Sequence, residues 1–518
     1  MQQVRPRIDF NEIEFLKVDP STRFNIVLYQ GTDLSNESLH DCKEQLDSLA
    51  NTNISVRIAH NSDLDVLDQV RTLGALIDSS VRFHPKFLDF IINVFTETDT
   101  TVMYSDFEIE DEGSIESIAL PAWSPVRFES IDYLGPVIVF DPDRLRLDPG
   151  ERLSRDQIVA KCNCESQRVS RLPKISYSCK GWQGKLRSLA FSNTRSDLIS
   201  IVIPTRGVSD EFNSLLERCT NSLNHQSVDS GVEVIIVVDS GFERSVVQNS
   251  MNALPSHWKS KLIEFTEPFN FSKKCNAGAN EAVGDVLVFL NDDVEIISED
   301  AISKLADLSL RDGVGAVGSQ LKFADGSIQH GGITLQDVKP RNSFLDQFPH
   351  STFTGDLEVS HEVSAVTGAC LAVSKSNFEM CGGWNEELPN SYNDVDLSLR
   401  LNKLGLQTII RNDLEILHHE SVSRDASFDE DSFASLKMLW PDELGNELYL
   451  RSLGAQGIGY QGKWGINKAS RVDLSGQHFR YLLHLLKTQG LSQTVNSVFR
   501  RVTGKTANLL QFQSKSYL

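Results

Sequence analysis

The sequence predicts an α/β protein that consists of two nucleotide-binding, Rossmann-like domains in tandem and a C-terminal helical tail. Three observations lead to this prediction. Apolar runs typical of buried strands alternate with amphipathic helical segments over residues 195–420. A weaker series of the same kind precedes them within residues 1–190. The chain then changes character over residues 456–518, where lysine and arginine accompany two amphipathic patterns.

Size and composition place the chain among ordinary globular proteins. Its 518 residues are 40% hydrophobic and 23% charged, which is enough for two or three domains with complete cores. The start lacks the apolar core of a signal peptide, and no apolar run approaches the ~20 residues that span a bilayer. Eight scattered cysteines predict reduced thiols, and a net charge of −21 argues against nucleic-acid binding. We therefore expect a cytoplasmic protein.

Polar residues follow three predicted strands of residues 197–455. The strand over 199–204 leads into Thr205 and Arg206, and the strand over 232–239 ends in Asp239. The apolar strand over 286–290 closes with the acidic motif LNDDVE, which contains Asp292 and Asp293. Because α/β sheets bind ligands at the carboxyl ends of their strands, these residues predict a binding edge.

A second acidic motif, NDVDLSLR, covers residues 393–400. It is typical of a helix start, with Asn393 as the N-cap and with Asp394 and Asp396 in the first turn. A carboxylate in such a place can accept a proton, while the carboxylates of LNDDVE can hold a divalent metal. The two motifs together predict a metal site beside a general base.

Nine segments strengthen this interpretation because they occur in one order over residues 199–424. They are SIVIPTRG, VVDSG, FNFSKKCNAGAN, VLVFLNDDVE, DGSIQHGGI, SAVTGACLAVSKSNF, CGGWNEE, NDVDLSLRLNKLG and LHHESVSR. This set resembles the landmarks of family 2 of the inverting glycosyltransferases, which have the GT-A fold. The resemblance implies transfer of a sugar from a nucleotide-diphosphate sugar to a hydroxyl of a glycan or lipid-linked glycan, with Mg²⁺ or Mn²⁺, in surface polysaccharide biosynthesis.

The resemblance also implies roles for individual residues. Asp394 matches the catalytic base. The residues that match metal positions are Asp292, Asp293, His418 and His419, without a choice between the two histidines. The nucleotide positions are Pro204, Thr205, Arg206, Asp239, Lys274 and Asp292, and the substrate pocket comprises His330, Gly383, Trp384 and Asn385. The chain departs from the family at Asn291 and Asn393, where many members carry an acid.

Residues 1–190 resemble a degenerate copy of the same GT-A domain. The strand that should carry the metal motif ends in Asp78-Ser79-Ser80, so the last carboxylate is missing, and no counterpart of NDVDLSLR follows. We therefore expect a non-catalytic domain that serves as a scaffold, in dimerisation or in holding the acceptor. An unrelated α/β domain with chance similarity is the alternative.

The tail over 456–518 leaves two interpretations open. Its apolar residues recur at helical spacing, and residues 460–518 contain nine lysines and arginines against one acid. Either the tail contacts an anionic membrane as a peripheral element at the inner face, or its helices pack on the preceding domain with a solvated basic face. Assembly as a homo-oligomer also remains open.

Two other functions compete with glycosyl transfer. A non-catalytic nucleotide-sugar-binding or assembly protein would need the binding edge without the base. A glycoside hydrolase would use two carboxylates without a metal or a nucleotide.

Overall fold

The computed structural model describes residues 23–449, apart from masked stretches at 31–33, 51–52, 60–70, 112–113, 147–153, 163–167, 181, 183–184, 187–194, 209–214, 336–338, 350–353, 420–429 and 448. The proposed tail over 456–518 lies outside the described residues. We refer to residues 23–186 as the N-terminal half and to residues 195–449 as the C-terminal half.

The N-terminal half contains twelve strands and five helices among its described residues. In chain order they are β1 (Phe24–Gln30), α1 (Asn36–Leu49), β2 (Ile54–Ile58), β3 (Arg71–Ile77), β4 (Val81–Phe83), α2 (Phe87–Glu97), β5 (Thr100–Ser105), β6 (Phe107–Asp111), β7 (Ser114–Ile118), α3 (Pro125–Ser130), β8 (Ile131–Asp132), β9 (Val137–Phe140), α4 (Pro142–Leu145), α5 (Arg155–Cys162), β10 (Arg168–Leu172), β11 (Tyr177–Lys180) and β12 (Lys185–Leu186).

The C-terminal half adds fourteen strands and seven helices among its described residues. They are β13 (Leu198–Thr205), α6 (Leu215–Leu223), β14 (Gly231–Asp239), α7 (Arg244–Ala253), β15 (Lys259–Phe265), α8 (Phe271–Glu281), β16 (Val286–Leu290), β17 (Val294–Ile296), α9 (Ala301–Ser309), β18 (Val314–Ser319), β19 (Leu321–Lys322), β20 (Ile328–His330), β21 (Ile333–Thr334), β22 (Arg341–Asn342), β23 (His361–Val363), β24 (Cys370–Ser374), α10 (Lys375–Met380), α11 (Asn393–Lys403), β25 (Gln407–Arg411), β26 (Ile416–His418) and α12 (Glu430–Leu439).

An eight-stranded sheet in the order β15-β14-β13-β16-β24-β18-β25-β23 forms the centre of the C-terminal half. Strands β13, β14 and β16 are parallel, and their side chains are almost all buried, as expected of a sheet covered by helices on both faces. Two apolar clusters fill these faces. The carboxyl ends of the three parallel strands carry Thr205, Asp239 and Asn291, so these polar residues lie at one edge of the sheet, as the sequence predicts.

The N-terminal half has a six-stranded sheet in the order β10-β5-β9-β3-β1-β2. Its order and strand directions match those of β25-β18-β24-β16-β13-β14 in the C-terminal half. In both, the fourth-named strand is parallel to the fifth, and the third-named strand is antiparallel to both of its neighbours. The two halves are therefore mixed α/β structures with the same six-strand topology.

The halves contact each other mainly through α3 of the N-terminal half. Val126 of this helix belongs to an apolar cluster of the C-terminal half, and Arg127 is fully buried against Asp356. Glu129 forms an ion pair with Arg311. The contact formed by α3 lies beside strand β23.

Two general features complete the description. No helix among the described residues is long and apolar enough to cross a bilayer. Six described cysteines, at 42, 179, 219, 275, 370 and 381, are free, as the sequence predicts.

Candidate active site

Thr205 and Asp292 meet at the ends of two adjacent strands. The hydroxyl of Thr205, the last residue of β13, donates to Oδ2 of Asp292 over 2.5 Å. The same hydroxyl oxygen accepts from the amide of Gly207 over 3.0 Å, which shapes the turn after the strand. Pro204 is buried in β13, and Arg206 is exposed beyond it. The structure thus brings four predicted nucleotide positions to one edge.

Lys274 lies beneath this edge rather than in solvent. Its ammonium group donates to the carbonyl oxygen of Thr205 over 2.5 Å and to Oδ1 of Asp239 over 2.8 Å. Only about 2% of the Lys274 side chain is exposed, whereas Asp239 keeps 28%. The lysine therefore fixes Asp239 and neutralises its charge. The N-cap of the following helix, α7, is Glu243 and not Asp239. A contact between Lys274 and the diphosphate stays a prediction.

Asp293 faces His418 across the strand pair β17–β26. The distance between Asp293 Oδ1 and His418 Nε2 is 2.9 Å, and His418 Nδ1 lies 2.7 Å from Oε1 of Gln329. The ring of His419 instead lies 2.7 Å from Glu295, while its backbone amide donates to the carbonyl of Asp293. Of the two histidines, His418 is the one whose ring faces Asp293, whereas the ring of His419 faces Glu295.

Asp394 is held by backbone amides at the start of α11. Its Oδ2 accepts from the amide of Gly368 over 3.1 Å, and its Oδ1 accepts from the amide of Val395 over 2.8 Å. Burial raises the pKa of this carboxyl, and the two amides oppose the rise because they stabilise the ionised form. A raised pKa makes the carboxylate a stronger base, which suits proton transfer from a hydroxyl.

His330 holds the segment that leads to Asp394. The amide of Thr367 donates to His330 Nε2 over 3.3 Å, so Nδ1 carries the proton and donates to Asn342 over 2.9 Å. Burial lowers the pKa of His330 to about 4, so the ring is neutral at pH 7. His330 therefore acts inside the structure, and its assignment to the substrate pocket stays a prediction.

Trp384 packs directly under Gly368. Its ring is 1% exposed and lies edge-on between Phe271 and Phe289, at centroid distances of 5.6 and 5.1 Å. A Cβ added at Gly368 would lie 2.9 Å from Cη2 of Trp384 and 3.6 Å from Cβ of Asp394. A side chain at position 368 would thus displace the ring of Trp384 or Asp394.

The turn that carries Trp384 is fixed by Asn276 of α8. Asn276 Oδ1 accepts from the amide of Trp384, and its Nδ2 donates to the carbonyl of the same residue, both over 2.9 Å. Gly383 adopts a φ of +71°, which favours glycine, and Asn385 stabilises the next turn by accepting from the amide of Glu387. Gly383, Trp384 and Asn385 therefore lie in one turn that hydrogen bonds hold in place.

The start of α11 differs from the sequence prediction. Tyr392, with a left-handed φ of +62°, occupies the N-cap position, and Asn393 is the first helical residue. The prediction that Asn393 is the N-cap is wrong, because its buried side chain donates to the carbonyl of Leu388. Asp396 binds Trp440 and Arg400 rather than the free amides of the first turn.

Residues 367–369 connect the two acidic motifs through consecutive backbone groups. The amide of Thr367 binds His330, the amide of Gly368 binds Asp394, and the carbonyl of Ala369 accepts from the amide of Asn291 over 2.9 Å. We call these three residues the bridging tripeptide. Sequence analysis missed their role, although they lie inside the quoted segment SAVTGAC.

The described residues contain no group of three or more His, Cys, Asp or Glu side chains placed to hold a metal ion. The pair formed by Asp293 and His418 nevertheless fits a divalent cation. If Nδ1 of His418 donates to Gln329, Nε2 presents a lone pair toward the carboxylate of Asp293, and two acceptors then face the same point. Further ligands would have to come from a bound molecule.

The N-terminal half has an arginine at the corresponding place. Helix α5 lies between β9 and β10, as α11 lies between β24 and β25, and it begins with Arg155. Arg155 binds Asp78 at the end of β3 over 2.6 Å and Asp132 over 2.7 Å. Burial alone would lower the pKa of this guanidinium, but the two carboxylates raise it above its ordinary value. The sequence analysis found no counterpart of NDVDLSLR here, and the helix at this place in the strand order begins with a cation.

Comparison with known proteins gives a family match within the C-terminal half. Residues 200–381 match the model of the family described as Glycosyl transferase family 2. The prediction that the chain contains a glycosyltransferase domain is thereby confirmed.

Two individual proteins are similar to parts of the chain. The uncharacterized protein y4gI of Sinorhizobium fredii is 26% identical over 68% of this chain and 44% of the relative. The O-antigen biosynthesis protein RfbC of Myxococcus xanthus is 32% identical over 44% of this chain and 18% of the relative. The chain thus spans less than half the length of these curated relatives.

A solved structure of TarS 1–349 from S. aureus in complex with UDP-GlcNAc is also similar. It is 15% identical, with a TM-score of 0.36, over 59% of this chain and 74% of that chain.

Proposed function

We propose that the C-terminal half is a metal-dependent, inverting glycosyltransferase. It would move a sugar from a nucleotide-diphosphate sugar to a hydroxyl of a glycan or lipid-linked glycan in surface polysaccharide biosynthesis. The observation that carries the proposal is the placement of Asp394. Its carboxylate is fixed by the bridging tripeptide, which also binds the acidic motif at Asn291.

The donor would bind along the ends of β13, β14 and β16. Thr205, Asp239 and Asp292 lie there in one hydrogen-bonded group, and Asp239 remains partly exposed for contact with the nucleotide. Lys274 holds this group from below, so the edge is preorganised before a ligand arrives.

Asp293 and His418 would hold Mg²⁺ or Mn²⁺ together with oxygens of the donor diphosphate. Such an ion supplies charge neutralisation for the departing nucleotide diphosphate. His418 is favoured over His419 because its ring faces Asp293, while Gln329 fixes its orientation.

Asp394 would act as the base in a single displacement. The acceptor hydroxyl gives its proton to the carboxylate of Asp394 while its oxygen forms a bond to the anomeric carbon. The bond from that carbon to the diphosphate breaks, and the diphosphate keeps the electron pair. Attack from the side opposite the leaving group inverts the anomeric centre.

The N-terminal half would not catalyse transfer. Its sheet has the same six-strand topology, but Arg155 occupies the helix start and binds Asp78, so an internal cation takes the carboxylate that a metal would need. We propose that this half is a degenerate GT-A domain and that the chain contains two such domains, bounded near 190 and 197, with one catalyst.

A donor panel tests the proposal. The protein is incubated with Mn²⁺ and a series of nucleotide sugars, and release of the nucleotide diphosphate and transfer to glycan acceptors are recorded. We expect turnover of one donor class that EDTA abolishes. Binding without turnover would favour a nucleotide-sugar-binding or assembly protein, and EDTA-insensitive cleavage of a glycan would favour a hydrolase.

Location and assembly also stay proposals. The basic tail over 456–518 would bring the protein to the inner face of the membrane, and its removal should reduce association with anionic liposomes. Unchanged association would contradict that role. Sedimentation of the full chain would decide whether it forms a homo-oligomer.

A further inference from the structure

We propose that the N-terminal half positions the candidate base of the C-terminal half by holding strand β23, which leads into the bridging tripeptide. The inference rests on the proposed function for its kinetic consequences but on the contacts below for its geometry. It assigns Ser124, Arg127 and Glu362 as positioning residues.

Glu362 is the central residue of β23 and is fully buried. Its carboxylate accepts from the hydroxyl of Ser124 and from the backbone amide of Val126 over 3.0 Å. Both donors belong to the N-terminal half, at the start of α3. The hydroxyl of Ser124 does not cap its own helix and instead reaches across to Glu362. A buried carboxylate without such donors would be strongly unfavourable, so the contact fixes the two halves against each other.

Arg127 makes a second contact, with residues of the C-terminal half that precede β23 in the chain. Its Nη1 donates to the carbonyl of Thr354 over 2.9 Å and to Oδ1 of Asp356 over 2.5 Å. Both side chains of the ion pair are at most 1% exposed. Arg127 holds the pKa of Asp356 below its ordinary value against the effect of burial, so the carboxyl stays ionised. The segment that enters β23 is therefore held at two points.

Strand β23 depends on this support because it is the last strand of the eight-stranded sheet. It has three residues and pairs on one side with β25. A short edge strand gains little from its own ladder. Val126, which is 3% exposed, packs into an apolar cluster of the C-terminal half and covers this region from the N-terminal side.

Gly368 follows Glu362 by six residues along one chain. Between them, the carbonyl of Ala365 accepts from the amide of Ile333 over 2.8 Å, and Thr367 binds His330. Gly368 then binds Asp394. A shift of β23 would be passed along this short, hydrogen-bonded segment to the amide that orients the base.

The contacts suggest a set of substitutions with different expected effects. Glu362→Leu removes both contacts with α3 at similar volume. Glu362→Gln keeps them, because a glutamine oxygen can accept from Val126 and the hydroxyl of Ser124 can accept from its amide group. Ser124→Ala removes one contact and should fold normally. Glu129→Gln removes the charge from a different contact between the halves, the ion pair with Arg311, and leaves the hydrogen bonds from Ser124 and Val126 to Glu362 in place.

Steady-state kinetics of the full chain test the inference. We expect Glu362→Leu to lower kcat by ~10- to 100-fold with little change in the donor KM, because small displacements of a catalytic group have effects of this size. Ser124→Ala should show a smaller loss, Glu362→Gln should recover most of the activity, and Glu129→Gln should match the wild type. The acidic limb of the kcat–pH profile should move to higher pH in Glu362→Leu, since a loosened Gly368 amide no longer lowers the pKa of Asp394.

Hydrogen–deuterium exchange separates this inference from the proposed function. Amides of residues 365–369 should exchange faster in Glu362→Leu and Ser124→Ala than in the wild type or Glu129→Gln. Unchanged exchange in this segment would overturn the inference, as would equal loss of kcat in Glu129→Gln and Ser124→Ala. A wild type that turns over no donor would overturn the proposed function, while the exchange result would still decide the positioning role.

Discussion

Replacement of Gly368 by alanine tests whether the bridging tripeptide sets the position of Asp394. The new methyl group would lie 2.9 Å from Cη2 of Trp384 and 3.4 Å from Cζ3, closer than side-chain carbons normally approach. Trp384 is fully buried between Phe271 and Phe289, so its ring has little freedom to withdraw. The tripeptide must therefore move instead, away from Trp384 and with it from the carboxylate of Asp394.

The structure gives the expected size of both effects. Overpacking of this kind costs ~1–3 kcal/mol in the free energy of unfolding. Weakening the amide's hydrogen bond to a charged carboxylate contributes up to about 3 kcal/mol. A displaced base should lower kcat by ~10²-fold. Urea unfolding measures the first two effects together, and nucleotide-diphosphate release under saturating donor and acceptor measures the third.

Gly278→Ala is the matched control for Gly368→Ala. A methyl group at Gly278 would lie 2.4 Å from Cγ1 of Val202, which is again a clash in the core of the C-terminal half but has no contact with Asp394. Alanine also favours the helix by up to ~1 kcal/mol, which offsets part of the clash. We expect Gly278→Ala to alter stability and, because α8 also carries Lys274 and Asn276, to lower kcat of the folded protein much less than Gly368→Ala does. The reasoning is refuted if folded Gly368→Ala keeps the wild-type kcat.

Three further substitutions address the rest of the account. Asp293→Asn should raise the Mn²⁺ concentration needed for half-maximal activity at least ~10-fold, because it removes the charge that faces His418; an unchanged Mn²⁺ titration would contradict the metal assignment. Asp78→Asn should cost ~3 kcal/mol of stability through loss of its ion pair with Arg155 and leave kcat unchanged; lost turnover in a folded variant would mean that the N-terminal half takes part in the chemistry. The pKa of His330, about 4, lies below the value of an unfolded histidine, so the unfolded state binds the proton more readily. As the pH falls from 7 to 4, protonation of this ring should therefore lower the free energy of unfolding by about 3 kcal/mol. His330→Gln should remove that part of the pH dependence of the urea midpoint, and an unaltered slope would show that the buried ring is not the cause.

Local sequence patterns predicted well the three parallel strands and the polar residues at their ends. The apolar runs of β13, β14 and β16 and the polar residues that follow them are contiguous in sequence, and strand direction alone brings their ends together. The residue that caps the start of α11 could not be predicted from local sequence patterns. Whether Asn393 caps the helix depends on the left-handed backbone of Tyr392 and on the carbonyl of Leu388, and neither leaves a local signal.

The connections between the motifs were beyond sequence reasoning for a different reason. The role of Gly368 depends on backbone groups, which are the same in every residue, and on a ring that follows it by sixteen positions. Contacts such as that between Ser124 and Glu362 join residues more than two hundred positions apart. Residue type alone does not select such partners, so the positions of the two halves had to come from the structure.

The stability of Asp394 variants follows from the same physics as their activity. Because burial raises the pKa of Asp394, the ionised form is less favourable in the folded than in the unfolded state. The free energy of unfolding then falls as the pH rises from the unfolded pKa through the folded pKa. Asp394→Asn removes this titration but also one of the two acceptors for the backbone amides, so the fall in the free energy of unfolding between acid and neutral pH should be absent in the variant. An unchanged pH dependence of the urea midpoint would contradict this account of the site.

The central claim is that Asp394 takes the proton of the acceptor hydroxyl. The most direct test compares kcat and donor affinity of Asp394→Asn with the wild type, using the donor identified by the panel, Mn²⁺ and a saturating acceptor. Asparagine keeps the size of the side chain, and its oxygen can accept from the amide of Gly368 if its NH₂ group takes the place of the oxygen that faces Val395, but it cannot accept the proton. We predict a loss of ~10²- to 10⁴-fold in kcat with donor affinity within about threefold of the wild type. A kcat within tenfold of the wild-type value would contradict the claim.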